Sequence, residues 1–222
     1  MKIRILILDY DMTLVNNLVD FYETFNTTLS LCGDEILTYD KFYRLYIENN
    51  LSKKIVRCSR ENFWRIFRRL YRTKTGFLNR GARELLIYSR SIGLRNVIAT
   101  GRECPRETVF DELRIFGVED LVDDIYTLDR AYTRDLEEEF LFDKSDIIKK
   151  ILRDYGADPD EAIFLGDYLT DYLSSIKSGV RFIGVVDNDS KKKLLENQGA
   201  KCVARDLFEA IEKIYMVKNN MC

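Results

Sequence analysis

The stretch Ile3-Arg4-Ile5-Leu6-Ile7-Leu8-Asp9-Tyr10-Asp11-Met12-Thr13 decides the fold. From Ile3 to Leu8 it is apolar apart from Arg4, without the alternation of a strand that faces water on one side. Such a run reads as a central parallel strand covered on both faces, which puts Asp9 at its carboxyl end. The period then changes. Between residues 18 and 74 apolar residues recur at helical spacing: Leu18, Phe21, Tyr22, Phe25 and Leu29, then Phe42, Leu45 and Tyr46, then Phe63, Phe67 and Leu70.

From about residue 78 helices and strands alternate. Strands are expected at Asn96 to Thr100, Asp124 to Leu128, Ala162 to Leu165, Arg181 to Val186 and Lys201 to Ala204. Helices are expected near 80–92, 105–116, 145–155, 170–178, 189–198 and 206–217. This order predicts an α/β fold, a doubly wound parallel sheet of Rossmann-like type. A small all-helical domain, residues 16–77, would interrupt it after the first strand, leaving 1–15 and 78–222 as the core. Gly76 and the loop before Asn79 are the expected hinge.

Composition narrows the chemistry. With 46% hydrophobic and 32% charged residues and only 2 Pro, the chain is that of a compact protein. No apolar run is long enough for a membrane helix and no signal-peptide layout opens the sequence, so a cytoplasmic location is expected. A net charge of −2 gives no global basic field for nucleic acid. The five cysteines, Cys32, Cys58, Cys104, Cys202 and Cys222, form no C-x-x-C pair, so buried or incidental thiols are expected, a disulfide being conceivable only for a hyperthermophilic source. The complete absence of histidine excludes Ser-His-Asp and Cys-His catalysis and His-ligated zinc or iron.

Three polar segments fall at the carboxyl ends of expected strands, where open α/β sheets bind ligands: Asp9 to Thr13, Thr100-Gly101-Arg102, and Gly166-Asp167-Tyr168-Leu169-Thr170-Asp171. A fourth piece, Lys144, opens the helix before the Asp167 strand. A carboxylate at a strand end can attack phosphorus in line, and a second one two residues on can protonate the leaving oxygen and later activate water. Asp9 and Asp11 fit those two roles. An anionic nucleophile meeting an anionic substrate calls for a hard cation such as Mg²⁺, with Asp9, the Asp11 carbonyl and Asp167 as ligands and Asp171 close by. Thr100, Gly101 and Lys144 would hold the phosphoryl oxygens, Lys149 and Lys150 being alternatives to Lys144. Tyr10, Thr13 and Arg102 complete the expected substrate surround, Thr13 chiefly as a brace for the loop.

In order and spacing these pieces resemble the haloacid dehalogenase-like superfamily: D-x-D-x-T after a strand, a strand ending in Thr, a Lys before a helix, and G-D-x-x-x-D after a strand. The resemblance covers residues 1–15 and 78 to about 190, and the position of the helical block matches the cap of one subclass. It implies a phosphatase for a small phosphorylated metabolite, of the phosphoglycolate phosphatase-like branch. Asp11 disfavours a dehalogenase, and the lack of His disfavours a mutase. Met12 stands where such proteins commonly have Gly. The alternatives are a nucleic-acid-end phosphatase, another phosphotransferase of the superfamily, or a phosphate-binding module without turnover.

The insertion also carries Arg57, Arg60, Arg65, Arg68, Arg69 and Arg72 among Phe63, Trp64, Phe67 and Tyr71. The simpler reading is an aromatic stripe in the core of the insertion with solvated arginines; the other brings one or two arginines to substrate. Glu137-Glu138-Glu139 is expected to be an exposed acidic face.

Overall fold

The computed structural model describes residues 3–129, 142–219 and 221, so the acidic run at 137–139 lies outside the described residues. Its core is a six-stranded sheet built from β1 (Ile5–Leu8), β4 (Arg95–Ala99), β5 (Asp124–Tyr126), β6 (Ala162–Gly166), β7 (Arg181–Val185) and β8 (Val203–Ala204). All pairings are parallel and the spatial order is β5-β4-β1-β6-β7-β8.

The first strand shows why this sheet is wound on both sides. Successive side chains point to opposite faces. Leu6 and Leu8 enter one apolar cluster with Leu85, Leu86, Val109, Leu113, Ala210 and Ile214, which come from α4 (Ala82–Ser91), α5 (Arg106–Ile115) and α9 (Leu207–Lys218). Ile5 and Ile7 enter another with Ile147, Ile148 and Ile151 of α6 (Ser145–Asp154). Both faces exclude water, so each of these Leu, Ile and Val side chains contributes about 1.5–3 kcal/mol through burial. The remaining helices of the core are α7 (Leu169–Ser178) and α8 (Asp189–Asn197).

By Cα proximity the chain divides into two compact units, Met1–Asn16 with Phe77–Cys222, and Asn17–Gly76. Two short strands missing from the sequence reading, β2 (Val15–Asn16) and β3 (Phe77–Leu78), pair antiparallel where the chain leaves and re-enters the core. Two residues each are too few to produce a readable period. The Asn79 amide donates to the carbonyls of Met12 (2.9 Å) and Thr13 (2.8 Å), tying this exit to the loop after β1.

The second unit contains α1 (Leu18–Cys32), α2 (Tyr39–Ile47) and α3 (Arg60–Leu70) around an aromatic cluster. Phe21 lies 4.6 Å from Phe67 and Phe25 5.0 Å from Phe63, centroid to centroid. Arg57, Arg60, Arg65 and Arg69 are exposed while Phe63, Trp64, Phe67 and Tyr71 are buried, the arrangement of the simpler reading; Arg68 alone of that set is buried. Buried Asp20 accepts the backbone N–H (3.1 Å) and hydroxyl (3.1 Å) of Thr75, closing the unit on itself.

The expectation of unpaired thiols is corrected. Cys32 at the end of α1 and Cys58 before α3 form a disulfide with Cα atoms 5.5 Å apart, Cys202 is likewise disulfide-bonded, and Cys104 is buried outside any disulfide. A turn through Gly33, reinforced by Asp34 accepting the Val56 and Arg57 N–H groups (3.1 and 3.0 Å), brings Cys32 and Cys58 together. That approach is tertiary, and no spacing rule on the chain announces it. Such bonds persist in oxidising compartments and inside hyperthermophilic cells. Replacing both Cys32 and Cys58 by Ser is expected to destabilise the helical unit by about 3 kcal/mol, the chain entropy released when a loop of this length opens. Thermal unfolding of the variant measures this; a midpoint equal to that of the parent protein would show that the bond adds nothing. Among the described residues no helix is long and apolar enough to cross a membrane.

Candidate active site

β1, β4 and β6 are neighbours in the sheet, so their carboxyl ends bring Asp9, Thr100 and Asp167 side by side. Asp9 continues the β1–β6 ladder, its N–H donating to Leu165 (2.8 Å), and Thr100 continues β4–β5 by donating to Tyr126 (3.0 Å). The functional side chains thus start from backbone that the sheet has already fixed.

Lys144 completes the cluster from the other direction. Its backbone N–H donates to Ser174 of α7 (2.9 Å), while the preceding Asp143 accepts from the Ser145 N–H (2.8 Å) and from Lys177 (2.9 Å). Fixed in this way, the ammonium reaches Asp9 Oδ1 at 2.5 Å and Asp171 Oδ1 at 2.6 Å. Lys149 and Lys150 instead pair with Asp146 and Asp154 on their own helix. Of the three candidates, Lys144 is the lysine that reaches the cluster.

Asp9, Asp167 and Asp171 are all buried, and one oxygen of each lies within 4.8 Å of the others. Burial and then the charge of Asp171 push the Asp9 carboxyl well above the usual carboxylate range, against the pull of Lys144. Burial likewise raises Asp171. Burial would lower the Lys144 ammonium, but Asp171 and Asp9 outweigh it and raise it. Three converging hard oxygen donors, with like charges too close for their own comfort, fit a divalent cation such as Mg²⁺. The Thr13 hydroxyl lies 3.3 Å from Asp9 Oδ2 and 3.4 Å from Asp167 Oδ1, the position of a brace between the two strand ends.

The Asp11 side chain belongs to a different set. Its carboxylate accepts from Arg102 Nη2 (2.6 Å) and Nε (3.0 Å) and from the Thr100 hydroxyl (3.2 Å). Met12 enables this placement by taking a left-handed conformation, φ 59°, with its N–H donating to Val15 (2.7 Å). A glycine would adopt that φ freely, whereas methionine costs about 1–2 kcal/mol more.

Two residues expected around substrate sit elsewhere. Tyr10 has no exposed surface and donates its hydroxyl to Glu112 (2.9 Å), because it points into the core between two residues that point out of it. Arg102 lies behind Asp11, bridging it to Glu112. Gly101 sits close to Phe142, whose ring an added Cβ would meet at 3.0 Å.

Three polar residues escaped the sequence reading. Glu112 lies on the buried face of α5 with Val109 and Leu113, and a carboxylate on an apolar stripe is a signal that a cation faces it. Lys191, at the start of α8, pairs with Asp167 Oδ2 at 2.6 Å and lies over the Tyr168 ring. Within Lys191-Lys192-Lys193 only its four-residue spacing from buried Leu195 marks it as inward-facing. Asp143 looks on the chain like any polar residue before a helix.

A family model described as haloacid dehalogenase-like hydrolase matches residues 6–185. No curated protein sequence matches the chain. Among solved structures, a predicted phosphatase from Clostridium acetobutylicum has a TM-score of 0.78 at 18% identity, covering 97% of this chain and 99% of that one. A hydrolase of haloacid dehalogenase-like type from Streptococcus pneumoniae has a TM-score of 0.73 at 19% identity, with 96% and 98% covered. CbbY from Rhodobacter sphaeroides, solved as a mutant with xylulose-(1,5)bisphosphate, has a TM-score of 0.67 at 18% identity, with 93% and 96% covered. With a family model spanning most of its length and this sheet order beneath the site, the chain belongs to the haloacid dehalogenase-like hydrolases.

Proposed function

We propose that the protein is a Mg²⁺-dependent phosphatase for a small phosphomonoester, acting through an aspartyl phosphate on Asp9. The observation that carries this reading is the separation of two neighbouring carboxylates into two environments. Asp9 sits with Lys144, Asp167 and Asp171, while Asp11 faces Thr100 and Arg102. Pairs of carboxyls held apart in this way can take different roles in one reaction.

Asp9 attacks phosphorus, the P–O bond to the leaving group breaks, and the leaving oxygen takes the proton of Asp11. In the second half Asp11 takes a proton from water as its oxygen attacks phosphorus, freeing Asp9 and phosphate. Lys144 holds Asp9 oriented and offers positive charge to the phosphoryl oxygens. Asp9, Asp167 and Asp171 would hold the metal, which when bound screens the repulsion between nucleophile and substrate. The sugar bisphosphate held by the CbbY structure supports a phosphorylated metabolite as the substrate class here.

Removal of metal by EDTA is expected to stop turnover of p-nitrophenyl phosphate, and added Mg²⁺ to restore it. Ca²⁺ should restore it poorly, because its larger and looser oxygen shell can draw both Asp9 oxygens onto the ion. Full activity in excess EDTA would overturn the reading.

A further inference from the structure

Behind Asp11 runs a buried ionic chain with no role in the reaction as written so far. The Arg102 side chain is 1% exposed and spans two carboxylates. Nη2 and Nε hold Asp11, and Nη1 holds both oxygens of Glu112 at 2.8 and 3.0 Å. The Tyr10 hydroxyl donates to Glu112 Oε2, and the Tyr10 ring lies 4.9 Å from the guanidinium carbon. A buried ion triad is poor evidence for stability, since apolar side chains of like volume usually hold a core as well. Its geometry is better explained by what it orients.

We propose that Arg102, itself aligned by Glu112 and Tyr10, is the positioning residue for Asp11: its planar fork selects the one Asp11 rotamer from which the proton reaches the leaving oxygen. A carboxylate at the end of a turn has several staggered wells open to it, and general acid catalysis works only from the one within hydrogen-bond reach of the accepting atom. Two N–H groups of one guanidinium fix both the position and the plane of a carboxylate, which a single ammonium does not. The Thr100 hydroxyl on Asp11 Oδ2 fixes the remaining rotation. Glu112 is needed because Asp11 is neutral while it carries its proton, and Glu112 then supplies the counter-charge that holds the buried guanidinium in place. The inference rests on Asp11 as the general acid.

Proton delivery matters most for poor leaving groups and least for p-nitrophenolate, which departs without a proton. Arg102→Lys keeps the charge and loses the fork. Its kcat/KM, which reports the step up to the first irreversible bond cleavage, is expected to fall about 10²-fold for glycerol phosphate and several-fold at most for p-nitrophenyl phosphate. Across a series of aryl and alkyl phosphates the dependence on leaving-group pKa should therefore steepen. Glu112→Gln should steepen it in the same direction by less, and it serves as the second variant if Arg102→Lys fails to fold. Equal losses across the series in both variants, or none, would overturn the proposal, since a structural role has no leaving-group signature. Asp11→Asn run in parallel separates the two claims. If Asp11→Asn steepens the dependence and the Arg102 and Glu112 variants do not, the positioning role is wrong; if Asp11→Asn leaves it unchanged, the general-acid reading itself fails.

Discussion

Asp9→Asn is expected to reduce kcat by about 10⁵-fold or more while leaving the fold intact, since removing a covalent nucleophile removes the reaction path itself. An amide oxygen is a poor nucleophile toward phosphorus, and it brings no charge to a metal. The structure also bears on stability. Asn occupies nearly the same volume, so the 4% exposed site stays filled and Lys144 keeps Asp171 as its anionic partner. The substitution removes one of three buried carboxylates that crowd within 4.8 Å of each other. Its melting temperature in EDTA should therefore match or exceed that of the parent protein, the usual trade between activity and stability at a strained site. Steady-state kinetics and a thermal melt read both effects. Ordinary turnover by a folded Asp9→Asn protein would end the covalent mechanism.

Legibility in the sequence followed the range of the interactions involved. β1 was readable because a strand covered on both faces leaves a continuous apolar run, and Asp9, Thr100 and Asp167 were readable because each ends such a strand. The amphipathic core helices and the aromatic stripe of α3 were readable by period. What escaped was set by tertiary approach. Residues 9 to 11 were all expected at the reacting group, Asp9 as nucleophile, Tyr10 beside substrate and Asp11 as acid, yet the alternation of the chain sends Tyr10 into the core toward Glu112 and the turn at Met12 leaves Asp11 facing Arg102. Cys32 and Cys58 meet through a turn whose geometry no spacing encodes, and Lys191 is one of three identical neighbours of which a helical register buries one. Residues whose function lies in facing another element leave only an indirect mark on their own segment, such as a charge on an apolar stripe.

The G-D-x-x-x-D segment carries a steric requirement that leads to the second large effect. Gly166, the last residue of β6, is not at a positive φ, so its backbone would admit any residue. A Cβ there would meet Asp171 Cβ at 2.5 Å and its Oδ2 at 2.6 Å. The first of these atoms cannot swing aside, because Cβ is fixed to the first turn of α7, and the carboxylate beyond it is held by Lys144 and by the Tyr168 N–H (3.1 Å). Relief requires the start of α7 to move by roughly 1 Å, in a core with little room to yield. Gly166→Ala is therefore expected to displace Asp171, spoil its convergence with Asp9 and Asp167, and loosen Lys144. Overpacking of this kind costs about 1–3 kcal/mol of stability. Mg²⁺ binding should weaken about 10- to 100-fold and kcat/KM fall about 10²-fold or more, since an ångström of misplacement is enough for that. Gly156→Ala is the control. Gly156 has φ 54° and nothing within 4 Å of an added Cβ, so alanine there costs about 1–2 kcal/mol of backbone strain without touching the carboxylates. Two variants of similar stability should then differ in calorimetric Mg²⁺ affinity and in rate. Parent-like Mg²⁺ binding by Gly166→Ala would show that the helix yields without moving Asp171 and that the glycine has no part in building the site.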